Sequence, residues 1–330
     1  AASAKESMNL LREYGEENSS LAEAVLARLT VLCSPHNGAA AISREAAEEV
    51  CEYVCANDGV RSVLNVMMLS ERTASPNLQA YGCSLIGMLC DREERAKRAA
   101  DNHGIEAVVR AMKAHKNDYE VQTAGCLALG QLASAPERSK EAADLGALSL
   151  VVRAMKHRPE RAVMQANGCM ALANLIIGER STERNAPRAS DPRRSQKAAD
   201  EGALEMISNA LSRHPSHDGV LHWGTTAILR LTHDSAERTQ HALRAGAKAA
   251  LAAAAARPTT RELPAVAAKI ELAHRWLAMH EAGGVGPELS KAERVLQDLV
   301  FEATAGVLLP EAIEEATGME SSLWGMTTTK

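Results

Sequence analysis

Three stretches of this chain are variations on one pattern: LQAYGCSLIGMLC from Leu78, VQTAGCLALGQLA from Val121 and MQANGCMALANLI from Met164. Their Gln-x-x-Gly-Cys core returns every 43 residues, and glycine-centred breaks at Gly59, Gly104, Gly146, Gly202 and Gly246 fall 45, 42, 56 and 44 residues apart. A fixed period in the low forties describes a unit that cannot bury its apolar face alone and must stack on its neighbours. The long interval is explained by roughly 14 additional residues, visible as the polar, proline-containing stretch Ser181 to Arg194 (STERNAPRASDPRR). A connection between helices is where a stack accepts extra sequence.

Composition narrows the choice to helices. Apolar residues make up 46% of the chain but aromatics only 2%, with Phe301 the single phenylalanine. Alanine, leucine and valine must therefore supply the packing, which suits closely approaching helices better than sheets. No apolar run reaches the roughly 18 residues that a bilayer span requires, so no membrane span is expected. A net charge of −5 and a pI near 6.2 lack the basic stripe of a nucleic-acid binder. Of the seven cysteines, Cys83, Cys126 and Cys169 take the same place in successive repeats. They read as small buried apolar groups in the cytoplasm or another reducing compartment. The chain begins Ala1-Ala2-Ser3 without Met, a start compatible with trimming or with import into an organelle.

The unit around Gly104 shows the grammar. Arg95 to Asp101 reads as a short helix, Gly104 as its stop in a positive-φ conformation, Ile105 to His115 as a second helix and Tyr119 to Ala133 as a third. Ile105, Val108, Val109 and Met112 line one face of the second helix, as Leu148, Val151, Val152 and Met155 do in the next repeat. Val121, Cys126, Leu129 and Leu132 are expected to face inward from the third helix. Gly82, Gly125, Gly168 and Gly224 inside third helices each cost about 1 kcal/mol relative to alanine, which points to close contact with an adjacent layer.

The three-helix unit, the glycine before its second helix and the Ala-Leu-Ala-Asn-Leu of Ala171 to Leu175 resemble the armadillo repeat. This resemblance implies an all-α, right-handed α-solenoid with about five full repeats over residues 43–280, the polar insertion lying at 181–194. Residues 1–42 would hold a partial N-terminal repeat, with Ser19 to Cys33 as its third helix, and residues 281–330 an acidic cap and tail.

In that family, third helices line a concave groove that binds extended peptides or helices. Counting back from the signature asparagine gives the expected groove-facing column at helical spacing: Met88, Gln131, Asn174 and Arg230 at the signature position; Ser84, Leu127, Met170 and Thr226 one turn earlier; and Tyr81, Ala124, Asn167 and Trp223 two turns earlier. The repeated Trp and Asn ladder of nuclear-import adaptors of the importin-alpha type is absent, so a receptor of that kind is not expected. The candidate partner-binding residues are Tyr81, Met88, Gln131, Asn167, Asn174, Trp223 and Arg230. Amides suit an extended backbone, and Trp and Arg are enriched in binding hot spots. Trp223 has a second reading, as core filler where its repeat lost the cysteine.

Secondary contact candidates are Arg184, Arg188, Arg193 and Arg194 in the insertion, read as a basic arm or a solvated loop, and Trp324 in the last ten residues, read as an exposed peptide or a fraying end. Ser290 to Thr304 is expected to form the capping helix. His214, His217 and His222 do not match zinc-site spacing, Lys113 and Lys156 suit the helix dipole, and nucleotide or nucleophile motifs are lacking. The sequence thus points to a non-catalytic scaffold for protein partners, without metal or cofactor. The alternative is an architectural subunit built stoichiometrically into a larger ciliary or organellar complex.

Overall fold

Apolar residues recurring at helical spacing, broken by capping residues, set the element order of the computed structural model, which describes residues 2–34, 43–69, 75–180, 188–233, 235–257 and 264–281. The helices are α1 (Ala2–Tyr14), α2 (Ser19–Cys33), α3 (Arg44–Ala56), α4 (Gly59–Leu69), α5 (Pro76–Leu89), α6 (Glu93–Asp101), α7 (Gly104–Ala114), α8 (Tyr119–Leu132), α9 (Pro136–Asp144), α10 (Ala147–His157) and α11 (Ala162–Leu175). After them come the strands β1 (Ile177–Arg180) and β2 (Arg188–Ser190), then α12 (Pro192–Asp200), α13 (Ala203–Arg213), α14 (Asp218–Thr232), α15 (Ala236–Arg244), α16 (Ala247–Ala255) and α17 (Pro264–Glu281). From α3 onward these fall into groups of three, and in the groups that begin with α6, α9 and α12 a short leading helix is followed by two longer ones. The chain divides into two compact units, Ala1–Ala154 and Met155–Lys330, the boundary falling within α10.

In the first unit α2 packs on α5 and α5 on α8, while α4 and α7 lie against the third helices of their own groups. In the second, α11 packs on α14 and α14 on α17, with α13 and α16 behind them. The expected inward faces hold: Ile105, Val108, Met112, Val121, Cys126, Leu129 and Leu132 are all fully buried. Each such side chain contributes about 1.5–3 kcal/mol by leaving water.

The seam between second and third helices is built from three recurring residues. A methyl group added to Gly82, Gly125 or Gly168 would meet the Sδ of Met67, Met112 or Met155, respectively, at 2.6 Å. The glycines are therefore kept by the methionine of the preceding helix in the same repeat, and not by the adjacent layer as expected. Beside each of them, Gln79, Gln122 and Gln165 are buried, and their Nε2 atoms donate to the carbonyls of Met67, Met112 and Met155 at 2.9, 2.8 and 3.0 Å. One amide thus ties off a helix-end carbonyl that would otherwise be an orphan. Gly87 does meet an adjacent layer, facing Leu127 and the Ala128 backbone, as does Gly219, which faces Ala166.

Two further devices join successive layers. Buried Arg138 forks onto Glu93 at 3.0 and 2.8 Å while its Nε donates to the Leu132 carbonyl, and Arg238 donates to Leu231 and Gln196 in the same way. Lys113 and Lys156 donate to the carbonyls of Leu145 and Glu201, at the C-terminal ends of the next repeats' leading helices. The dipole they complement belongs to those helices.

Two expectations need correction. The positive-φ residue is the glycine only at Gly146, Gly202 and Gly246; in the first two full repeats it is Asp58 and His103, one residue earlier. The loop is two residues long in every case; in these two repeats its second, left-handed position falls on residue types that tolerate it, and Gly59 and Gly104 open the second helices instead. The insertion also ends earlier than residue 194. Asp191 caps α12, accepting from the Arg194 N–H at 2.8 Å, and Pro192 takes its first turn. The described residues are all-α apart from a two-stranded antiparallel ribbon in which Ile177 pairs with Ser190 and Arg180 with Arg188.

Candidate functional site

Within each unit the third helices pack on second helices and on neighbouring third helices of that unit, which leaves one column of side chains open. In the first unit Tyr81, Ser84 and Met88 of α5 and Leu127 and Gln131 of α8 are half-buried, while Ala124 is buried. This is a surface of low charge.

The column in the second unit is different. Asn167 of α11 and Trp223 and Arg230 of α14 are half-buried, and Met170, Asn174 and Thr226 are buried between them. An Arg230 guanidinium nitrogen donates to the Ala173 carbonyl at 2.8 Å and to Asn174 Oδ1 at 2.9 Å. Asn174 therefore works inside the protein, orienting the arginine, instead of presenting an open amide. Trp223 meets the His222 ring edge-on with centroids 4.9 Å apart. The place of the missing cysteine is filled by fully buried Thr225, and the enclosed indole of this unit is Trp276, whose Nε1 donates to Thr232 Oγ1 at 3.1 Å.

The structure adds a residue that the sequence reading missed. Lys269 of α17 continues the Thr226 column; it is only 8% exposed, and its Nζ lies 3.5 Å from Thr226 Oγ1. Burial, reinforced by Arg230, pushes the Lys269 ammonium down to about 8. Burial, then Lys269 and Arg230, pushes His222 down to about 4, so its ring is neutral at pH 7. The signal was present in the 43-residue spacing from Thr226, but α17 lacks the Gly-Cys pair that marks α5, α8 and α11.

The remaining candidates do not join this column. Arg194 lies in α12, where it donates to the Ile177 carbonyl and pairs with Asp191 at 3.3 Å; it fastens the ribbon and is no part of a free arm. Arg193 is exposed on the same helix and Arg188 lies in β2. Arg184, Trp324, the expected helix Ser290 to Thr304 and the last ten residues lie outside the described residues. His214 Nε2 sits 2.8 Å from the Pro159 carbonyl, and His217 caps α14. No cluster of metal-ligating side chains occurs among the described residues, nor is any described helix long and apolar enough to cross a membrane. All seven cysteines are buried with free thiols; burial pushes Cys83 and Cys126 up to about 12, which suits a packing role.

No protein-family model and no curated protein matches the chain. Solved structures do. The designed armadillo repeat protein YIII(Dq)4CqI superposes with a TM-score of 0.59 at 16% identity, over 81% of this chain and 98% of its own. The designed armadillo repeat protein YIII(Dq.V1)4CPAF, solved in complex with the peptide (KR)4, gives 0.56 at 16% identity over the same shares. A computationally designed armadillo repeat protein for modular peptide recognition gives 0.58, again at 16% identity and the same coverage. At such identities the likeness concerns the fold: the chain is an all-α repeat protein of the armadillo type.

Proposed function

We propose that this chain is a non-catalytic scaffold that holds a segment of a partner protein against its third-helix faces. Trp223 and Arg230 are the principal contacts, Asn167 a flanking one, and Tyr81, Met88 and Gln131 the corresponding residues of the first unit. The observation that carries this reading is the half-buried pair Trp223 and Arg230, the latter oriented by Asn174. A large aromatic and a pre-organised guanidinium on a rigid helix are the pattern expected of an interaction hot spot. The solved neighbour that carries (KR)4 supports a peptide as the occupant, although the cations on this chain's second unit disfavour a basic one.

Capture of partners by the full chain, compared with its Trp223→Ala/Arg230→Ala variant, tests the proposal. Loss of the captured set from a variant that melts like the parent is the expected result. An unchanged set would remove the groove from the account. If the chain were recovered only with stoichiometric neighbours, insensitive to the double substitution, the role would be that of an architectural subunit.

A further inference from the structure

The buried arginines of this chain have several acceptors: Arg138 is forked by Glu93, and Arg238 donates to the Leu231 carbonyl and to Gln196 Oε1. Lys269 has no such set. It is more than nine-tenths buried, its one hydrogen bond among the described residues is the 3.5 Å approach to Thr226 Oγ1, and no described carboxylate lies within ion-pair distance. Packing does not require an ammonium there, because the equivalent third-helix positions hold Leu127, Met170 and Thr226. Burying an unpaired charge is costly, and its removal in favour of an apolar side chain is the usual relief.

Among the described residues, the charged group that acts on the Lys269 ammonium is also a cation. Arg230 and His222 from α14 face it, and the mutual repulsion of these groups is felt at both Lys269 and His222. Trp223, on the same helix, is half-buried and meets the His222 ring edge-on. A buried ammonium without a carboxylate partner among the described residues, on a face already read as a docking surface that also carries a half-buried indole, lacks one component, an anion that brings apolar neighbours with it.

We propose that Lys269, Arg230 and Trp223 form a pocket for a carboxylate side chain of an acidic partner segment, with Lys269 and Arg230 gripping the carboxylate and the indole covering the residue beside it. This inference rests on the third-helix reading above and specifies the chemistry of its occupant. A peptide is favoured over a free anion because the column continues through Thr226 to Asn167, giving a chain somewhere to lie. A partner segment rather than this chain's own acidic C-terminal residues is the occupant to which the inference commits.

Fluorescence anisotropy of a fluorescein-labelled octa-glutamate peptide with the full chain is the direct test. Because the protein itself carries a net charge of −5, binding requires a local cationic site. Octa-glutamate binds, octa-lysine does not, and Lys269→Met weakens binding about tenfold, the scale of one lost charge-assisted contact. Lys140→Met, at an exposed lysine paired with Asp144, changes it less than about twofold. Equal weakening by both substitutions, or insensitivity to Lys269→Met in a chain that melts no lower than the parent, overturns the pocket. Full competition by millimolar acetate would make the site one for free carboxylates and overturn the peptide. Tighter binding in the Glu311→Gln/Glu314→Gln/Glu315→Gln chain would show the tail to be the natural occupant, overturning the partner. Failure of octa-glutamate while Trp223→Ala/Arg230→Ala still abolishes capture would remove the acidic partner and leave the scaffold reading intact.

Discussion

Helices α8 and α14 hold the same place in two repeats and have diverged in opposite ways on their two sides. Inside, α8 keeps the full lock: Gly125 against Met112, and Gln122 donating to the carbonyls of Met112 and His115 at 2.8 and 3.1 Å. In α14 Leu221 replaces the glutamine, Leu211 replaces the methionine, and a methyl on Gly224 would stand 3.0 Å from Leu211 Cδ2. Outside the order reverses. The open column of α8 is Ala124, Leu127 and Gln131, and that of α14 is Trp223, Thr226 and Arg230. In α8, where the shared packing device is complete, the open face is bland; in α14, where it has lapsed, the face has acquired an aromatic and a cation. Repetition records the requirements of stacking, and departure from it marks the place to look for binding.

The comparison can be broken most readily at the glycines. Gly125→Ala is expected to cost about 2 kcal/mol, since overpacking against Met112 exceeds the gain in helix propensity. Gly224→Ala should stay within about 0.5 kcal/mol because a small shift of Leu211 and that same gain nearly cancel. Urea denaturation of the two variants decides the matter, and equal losses would mean that the seams do not differ. A smaller effect is expected on giving α8 the leucine of α14: Gln122→Leu should cost about 1.5 kcal/mol by orphaning two carbonyls.

Titration sharpens the contrast, because only the α14 side carries displaced cations. His222 has its folded value near 4 and its unfolded value at 6.5, so the unfolded chain binds the extra proton between them. Its contribution to stability is intact above pH 6.5 and is lost as pH falls toward 4. Lys269, near 8 folded and 10.5 unfolded, adds a rise in stability as pH climbs from 8 to 10.5. That rise should vanish in Lys269→Met, and denaturation midpoints across both windows would reveal its persistence.

Much of this fold is legible in the residues, because a repeat shows the same answer several times. The bounds of α2 as Ser19–Cys33 and the inward faces of α7 and α8 follow from periodicity alone. The buried glutamines were just as regular, yet spacing cannot say that an amide reaches back to a carbonyl 10 or 12 residues earlier. The ribbon of β1 and β2 rests on long-range pairing with no repeated counterpart to announce it. Asp191-Pro192 did signal the start of α12, but a cap and a turn share the same residues. On the open face, the sequence placed Trp223 and Arg230 in one column. It could not show that Arg230 is held by Asn174, nor that Lys269 joins them, since both depend on how neighbouring helices abut.

Photo-crosslinking from the open face tests the central claim most directly. Benzoylphenylalanine at position 223, in α14, should join the captured partner through a segment rich in Asp or Glu, whereas the same group at the exposed position 237 of α15 should not. Crosslinking from 237 with none from 223 would place the partner on the leading helices and contradict the account.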